Sequence, residues 1–533
     1  MPTGTQYDIA IIGTGAGGGT LAYTLAASGK RILLLERGGW LTREKENWDP
    51  RAVFVQERYH TTEMWVDKEH RPFRPGTHYY VGGNTKFYGA VLLRMRERDF
   101  EQVAHHDGVS PAWPLSYRDF APYYLEAERL YGAHGARGTD PTEPPCDDPY
   151  PFPPVRHEPR IQEVYDGFAR QGLHPFPLPV GVRLDETNLH LSPCIKCDTF
   201  DGFPCMVNGK HDAHTTCVMP ALQHPNVTLV THALVTRLDT DPAGRQVTTI
   251  HAMRNGEPEQ YSADIVVVAC GAINSAALLL RSAGDRHPNG LANSSGQVGR
   301  HYMCHNNSAI LAISRKPNPS KFTKTIGVND FYWGGDDFDY PMGHIQTLGK
   351  SLPAQLEGDA PSIRIPGVGL TLEYIAQHAV DWWITTEDLP DPNNRVEITA
   401  TGQIMLSYTP NNGESHRRLL KKLHQAMDRV EGGVTHFIPQ SVYLSKQIPL
   451  AGVAHQSGTC RFGTGPKTSV LDVNCKAHDL DNLYVVDSSF FPSSSSVNPS
   501  LTIIANALRV GDHLRGRLGA GSARGVAADP VLR

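Results

Sequence analysis

Near the start of the chain, Gly13-Thr14-Gly15-Ala16-Gly17-Gly18 has the G-x-G-x-x-G spacing with which a backbone wraps a pyrophosphate. Gly13 allows the tight turn, Gly15 lets the main chain approach the anion, and Gly18 permits close helix–strand packing. Amide donors and the positive end of the following helix would face the phosphates. Glu36 follows at the distance where a carboxylate accepts from a ribose diol and repels a 2′-phosphate. This chemistry is adenine-dinucleotide binding, and the loop alone leaves FAD and NAD both open. A second candidate centre is Cys194-x-x-Cys197 with Cys205 and Cys217, flanked by His211 and His214. Its spacing matches neither two CxxC pairs nor a standard iron–sulfur run, so the expectation is that no metal is bound.

These residues need elements to hold them. Tyr7–Ile12 and Arg31–Glu36 are β-rich runs on either side of the small, helix-compatible stretch Ala16–Ser28, a βαβ unit. The next clear buried strands, Ile265–Ala269 and Leu483–Asp487, lie far downstream. The pattern predicts one discontinuous nucleotide domain with another inserted in its gaps. Pro141–Pro154 reads as an irregular connection, since proline removes donors and forbids helix. Between about residues 322 and 449, alternating segments such as Arg395–Ile398 and Ile404–Tyr408, with turns at Asn393-Asn394 and Asn411-Asn412-Gly413, predict an antiparallel sheet.

Composition bounds the partners. The 533 residues are 40% hydrophobic and 20% charged, an ordinary globular balance. A net charge of -5 supplies no basic excess for phosphate backbones, so nucleic acid is excluded as a partner. No apolar run approaches the roughly 18–20 residues of a membrane span. Nine cysteines in a chain without an export signal read as free thiols, and the location as cytoplasmic.

The chain resembles the glucose–methanol–choline oxidoreductases in the glycine loop, in Gly82-Gly83-Asn84-Thr85-Lys86-Phe87-Tyr88-Gly89, in Gly271-Ala272-Ile273-Asn274-Ser275 and in the run from His455 to Leu514. Within that family it is most similar to the pyranose-oxidase and glycoside-3-oxidase branch, through His455-Gln456-Ser457-Gly458-Thr459-Cys460-Arg461-Phe462-Gly463 and Val497-Asn498-Pro499-Ser500-Leu501-Thr502. The resemblance implies an α/β fold, α+β overall. A discontinuous Rossmann-like FAD domain would take residues 1–100, 205–310 and 450–515. A substrate domain with an antiparallel sheet backed by helices would take 101–204 and 311–449, leaving 516–533 as a flexible tail. The implied cofactor set beyond the glycine loop is Glu36 with Arg37, Gly82, Gly83, Asn84, Thr85, Tyr88, Gly89 and Ala90 beside the flavin, Val235 at the adenine edge, Asp487 near the pyrophosphate and ribitol, and Pro499 with Ser500. Some relatives attach FAD through a histidine where this chain has Phe87, so noncovalent FAD is expected.

By the same resemblance, His455 is the catalytic base and Asn498 its partner. Hydride leaves a carbinol carbon readily only as the hydroxyl loses its proton, and a neutral imidazole of ordinary pKa near 6.5 accepts that proton at neutral pH. Asn498 holds the hydroxyl without competing for the proton. Asn498 also precedes Pro499 and the amphipathic stretch Leu501–Leu514, so it doubles as a candidate helix cap, with the helix's positive end facing the flavin. Gln346, in a segment read as irregular (Tyr340–Lys350), is the candidate substrate contact. The implied reaction is oxidation of a secondary hydroxyl, C2 or C3, of a sugar or glycoside, with hydride passing to flavin N5. The alternative is a dehydrogenase of a sugar acid, polyol or other alcohol. The electron acceptor, dioxygen or a quinone, and the oligomeric state are left open. Gly89 stands where some oxidases have a hydroxyl side chain, which hints at sluggish use of dioxygen.

Overall fold

The protein is described by a computed structural model over residues 6–359, 371–431, 436–440 and 455–520. Five strands of its seven-stranded sheet run parallel, in the order Val227–Val230, Ile32–Leu35, Gln6–Ile12, Glu257–Val268 and Leu483–Val485. They read as near-continuous Val, Ile and Leu because both faces are covered, and Ile9, Ile11, Leu33, Leu34, Val266 and Val267 are buried. The register aligns their ends: Ile12 lies opposite both Leu35 and Val268, and Val268 lies opposite Val485. Gly13, Glu36, Ala269 and Asp487, from four separate parts of the chain, therefore emerge at one rim, the carboxyl ends where open α/β sheets place ligands.

Glu257–Val268 is longer than the predicted Ile265–Ala269. Its first half pairs antiparallel with Val247–Arg254, which pairs in turn with Ala233–Thr240. The helices Ala16–Ala26 and Ser500–Arg517 lie against one another, and Gly511 makes this possible: a Cβ there would stand 2.5 Å from Thr24 Cγ2. The latter helix runs through 516 and 517, past the start expected for the tail. Residues 521–533 of that tail lie outside the described residues.

The second sheet has six strands, all antiparallel, in the order His436–Gln440, Asn306–Ile313, Ala379–Thr386, His344–Thr347, Ile326–Val328 and Phe176–Pro177. Period-2 alternation gives it two distinct faces. Ile310, Trp382, Ile345 and Val328 pack with Ile161, Val164 and Phe168 of the helix Pro159–Ala169 and with Leu419, Leu423 and Met427 of Gly413–Glu431. The opposite face carries the register row Ala309–Trp383–Gln346–Gly327. The fold is thus a discontinuous Rossmann-like unit joined to an antiparallel sheet backed by helices.

Two expectations are corrected. Arg395–Ile398 and Ile404–Ser407 are strands, but they do not join the six-stranded sheet; they form a separate four-stranded sheet with Trp65–Asp67 and Pro72–Phe73. Alternation specifies a half-buried strand and carries no information about its partner. Gln346 lies in a strand rather than an irregular segment, and it is 1% exposed. The strand is four residues long and bounded by Gly343 and Gly349, too short for periodicity to reveal.

Candidate functional site

A cavity of ≈ 970 Å³ runs from the rim of the parallel strands to the open face of the antiparallel sheet. At the rim, Glu36 is buried and spends both oxygens on the protein: Oε1 accepts from Gly38 N at 2.9 Å, and Oε2 from Thr14 Oγ1 at 2.6 Å and Thr14 N at 3.2 Å. Burial raises its pKa and these donors oppose the rise. The carboxylate is thereby held rigid beside the glycine loop. Arg37 lies over the Tyr79 ring at 3.6 Å and pairs with Glu63 at 3.3 Å.

The glycines of the loop differ in their surroundings. Gly15 has open space where a Cβ would stand, so the backbone itself meets whatever fills the cavity, whereas Gly18 is packed against the Gly13 carbonyl and Ala269 and does not line it. Gly82 adopts φ 96° and donates its N–H to Thr14 Oγ1 at 3.1 Å, bringing the second glycine segment onto the first. There a Cβ on Gly83 would meet Gly15 Cα at 3.1 Å. Gly83, Asn84, Thr85, Tyr88, Gly89 and Ala90 line the cavity next to it. Val235 lines it too, at a bulge that breaks the ladder between Val235 and Arg237. Asp487 Oδ2 accepts from Gly271 N at 3.0 Å and Ser275 Oγ at 2.5 Å, and its Oδ1 from Ser489 N at 2.8 Å. Burial raises the Asp487 pKa. Open backbone at Gly15, a buried carboxylate at Glu36 and a second at Asp487 along one elongated cavity fit an adenine dinucleotide.

At the far end, His455 and Asn498 meet, with Asn498 Nδ2 3.5 Å from His455 Nε2. Asn498 does not cap the helix: Pro499 occupies the N-cap, without a side-chain hydrogen bond, and Pro499 does not line the cavity while Ser500 does. A proline cannot continue the ladder, and its fixed φ suits either side of the boundary. Freed from capping, the Asn498 side chain points to His455, and its Oδ1 is buried with no hydrogen-bond partner among the described residues. An orphaned buried acceptor at the cavity calls for a donor from whatever fills the site, such as a second hydroxyl of a polyol.

His305, which sequence reasoning missed, decides the proton inventory. Its Nε2 lies 3.1 Å from the Ser494 carbonyl, and its Nδ1 lies 3.0 Å from His455 Nδ1. A carbonyl only accepts, so His305 carries its proton on Nε2 and its Nδ1 is a bare acceptor. His455 must then donate from Nδ1, which leaves its Nε2 unprotonated and facing Asn498 and the cavity. Burial lowers the pKa of both rings, that of His455 to well below its usual 6.5, with His305 and Lys324 adding to the effect. The backbone of His305 sits at φ 54°, a left-handed conformation in which histidine is enriched. Lys324, also missed, is buried and paired with Asp201 at 2.6 Å; both line the cavity, close to Gly89. His305 and Lys324 have no local sequence signal, since their partners lie more than a hundred residues away.

The residues 77–307 and 390–507 match the N- and C-terminal models of the GMC oxidoreductases. The chain belongs to the GMC oxidoreductase family. It is an FAD-binding oxidoreductase acting on CH–OH groups of alcohols and sugars. This GMC chain is 28% identical to paromamine 6'-oxidase of Streptomyces fradiae, over 99% of its own length and 92% of the relative's. It is 29% identical to 6'''-hydroxyparomomycin C oxidase of Streptomyces lividus, over 96% and 92%. The fold is that of pyridoxine 4-oxidase from Mesorbium loti, with TM-score 0.66, 18% identity and coverage of 96% and 99%.

Cys194 has Cys197 and Cys205 as neighbours, which add to the burial that raises its thiol pKa, whereas Cys217 stands apart from them. Cys217 Sγ lies by Tyr131 and Thr20, under the first helix, while Cys205 Sγ accepts from Gly209 N. All nine cysteines are free thiols, and among the described residues no three His, Cys, Asp or Glu side chains are arranged to hold a metal. Among the same residues no helix is long and apolar enough to cross a membrane.

Proposed function

We propose that this GMC chain oxidises a secondary hydroxyl, at C2 or C3, of a sugar or glycoside to the ketone, with His455 as the base. The observation that carries the reading is the bare Nε2 of His455, fixed by His305 and lying 3.5 Å from Asn498 Nδ2. A substrate hydroxyl placed there gives its one proton to Nε2, while its oxygen accepts from Asn498 Nδ2. FAD, held by the glycine loop, Glu36, Val235, Asp487 and the segment from Gly82 to Ala90, supplies the acceptor for the hydride. The first turn of the helix Ser500–Arg517 lies at the same end of the cavity, where its dipole favours developing negative charge. Gln346 and Trp383, side by side on the sheet, form the substrate wall.

Residues 1–100, 205–310 and 450–515 are the proposed FAD domain, 101–204 and 311–449 the proposed substrate domain, and the cytoplasm the proposed location. A second reading, oxidation at a 6′ hydroxyl of an amino sugar, is favoured by the Streptomyces fradiae relative, a paromamine 6'-oxidase. Anaerobic titration of the oxidised holoenzyme with glucose, methyl β-D-glucopyranoside and paromamine decides between them. Bleaching of the flavin by the first two supports the C2/C3 reading, bleaching by paromamine alone supports the second, and bleaching by none overturns both. Re-oxidation of the reduced enzyme by dioxygen or by a soluble quinone then identifies the acceptor.

Two outcomes concern the cofactor. Phe87 stacks on the His78 ring at 3.7 Å and offers no nucleophile, so acid or heat should release FAD into the supernatant. Colour that stays with the denatured polypeptide would contradict noncovalent binding. Glu36→Ala should raise the FAD dissociation constant about 10- to 100-fold, because it removes the carboxylate and strands the Thr14 and Gly38 donors. Unchanged flavin content after exhaustive dialysis would show that Glu36 serves the loop alone.

A further inference from the structure

Gln346 can face a substrate with either end of its amide, and a buried chain of hydrogen bonds decides which. Asp140 is salt-bridged to Arg96 and accepts from Thr142 N and Oγ1 through its other oxygen. It also accepts from Asn329 Nδ2 at 2.7 Å. With its NH₂ committed to a carboxylate, Asn329 has only Oδ1 for His344 Nδ1, 2.7 Å away, so His344 must donate there. Burial, with Arg96 and His305 nearby, holds the His344 pKa down at about 3, so the ring carries a single proton at neutral pH. That proton is on Nδ1, and Nε2 is a bare acceptor. The Gln346 amide approaches this nitrogen at 3.1 Å, and an oxygen at that end would set two acceptors against each other. Turning the amide over resolves the conflict, as the two ends are equivalent in shape.

We propose that Gln346 presents its carbonyl oxygen to the cavity and accepts from a substrate hydroxyl or ammonium next to the oxidised carbon, its polarity set by the chain Arg96–Asp140–Asn329–His344. His344 is thus a positioning residue, and the site selects donors over ethers at that position. The substrate part rests on the reading of this cavity as a sugar-oxidising site.

Neutron diffraction from holoenzyme crystals in D₂O near neutral pD should show deuterium on His344 Nδ1 and the deuterated Gln346 amide pointing at a bare Nε2. Deuterium on Nε2 would overturn the proposal. In the cavity itself, the sugar that bleaches the flavin fastest is compared with its mono-deoxy, mono-O-methyl and amino analogues. At one position, the wild type should prefer hydroxyl to O-methyl by at least about tenfold and should accept the amine, since an unmatched buried acceptor is costly. His344→Phe should keep its FAD, raise the apparent KM about tenfold and leave the limiting reduction rate within a few-fold. It should also lose the hydroxyl/O-methyl preference, because the released amide can rotate to donate. Gln346→Glu, in which one proton must sit between the carboxyl and His344 Nε2, still turns an oxygen to the substrate and should retain it. An unaltered preference in His344→Phe, or no preference in the wild type, would defeat the proposal. If no sugar bleaches the flavin, the functional reading fails, while the neutron map still decides the direction of the amide.

Discussion

His455→Ala should retain FAD and fold yet reduce its flavin with alcohol about 10²–10⁴-fold more slowly, the usual worth of a positioned base. The loss belongs in the limiting reduction rate rather than in apparent affinity, because the proton is taken only as the transition state forms. The pH profile supplies an independent check. Burial disfavours the imidazolium, so His455 in the wild type is neutral and competent above a pKa well below 6.5. As pH falls, the reduction rate should hold through pH 6.5 and decline only as the depressed pKa is approached. The alanine variant should lack that acid limb and recover at high pH, where hydroxide or an ionised substrate replaces the base. Asn498→Ala should keep the wild-type profile and lose less. Single-turnover reduction in His455→Ala within a few-fold of wild type would assign the proton to another residue.

His305→Leu should slow the same step about 10- to 100-fold without altering FAD content. The wild-type ring accepts from His455 Nδ1 and so keeps the proton off Nε2; leucine removes that acceptor, and the proton is then free to sit on the nitrogen that should act as base. Loss of tautomer control is costly even where geometry survives. His305→Gln supplies an amide oxygen at a similar reach and should restore part of the rate, which no packing role predicts. A leucine variant within twofold of wild type would mean that the Ser494 carbonyl and His305 do not govern the base.

The cofactor rim was legible because its requirements are local. Six residues from Gly13 to Gly18 state a backbone path, and runs of Val, Ile and Leu state strands buried on both faces; these constraints act over a few positions and leave their mark there. The motifs around His455 and Asn498 were equally readable as a pair, since the family resemblance names them. What those residues face was not. Asn498 offers itself to a helix end or to an imidazole with equal chemical ease, and only the placement of Pro499 at the N-cap turned it to His455. The strands near 395 and 407 declared their alternation but not their partners, because backbone ladders are alike and register is set by distant packing.

Proton positions lay furthest from the sequence. Whether His455 carries its hydrogen on Nδ1 depends on His305, which depends on a carbonyl at Ser494. The direction of the Gln346 amide depends in the same way on Arg96, Asp140, Asn329 and His344. Composition, charge and the glycine spacing determined that the chain is globular, has no basic excess for nucleic acid and is built to hold an adenine dinucleotide. Tertiary structure alone decided which ring nitrogen is bare, because a hydrogen bond needs both its partners in place and these come from strands and loops far apart in the chain.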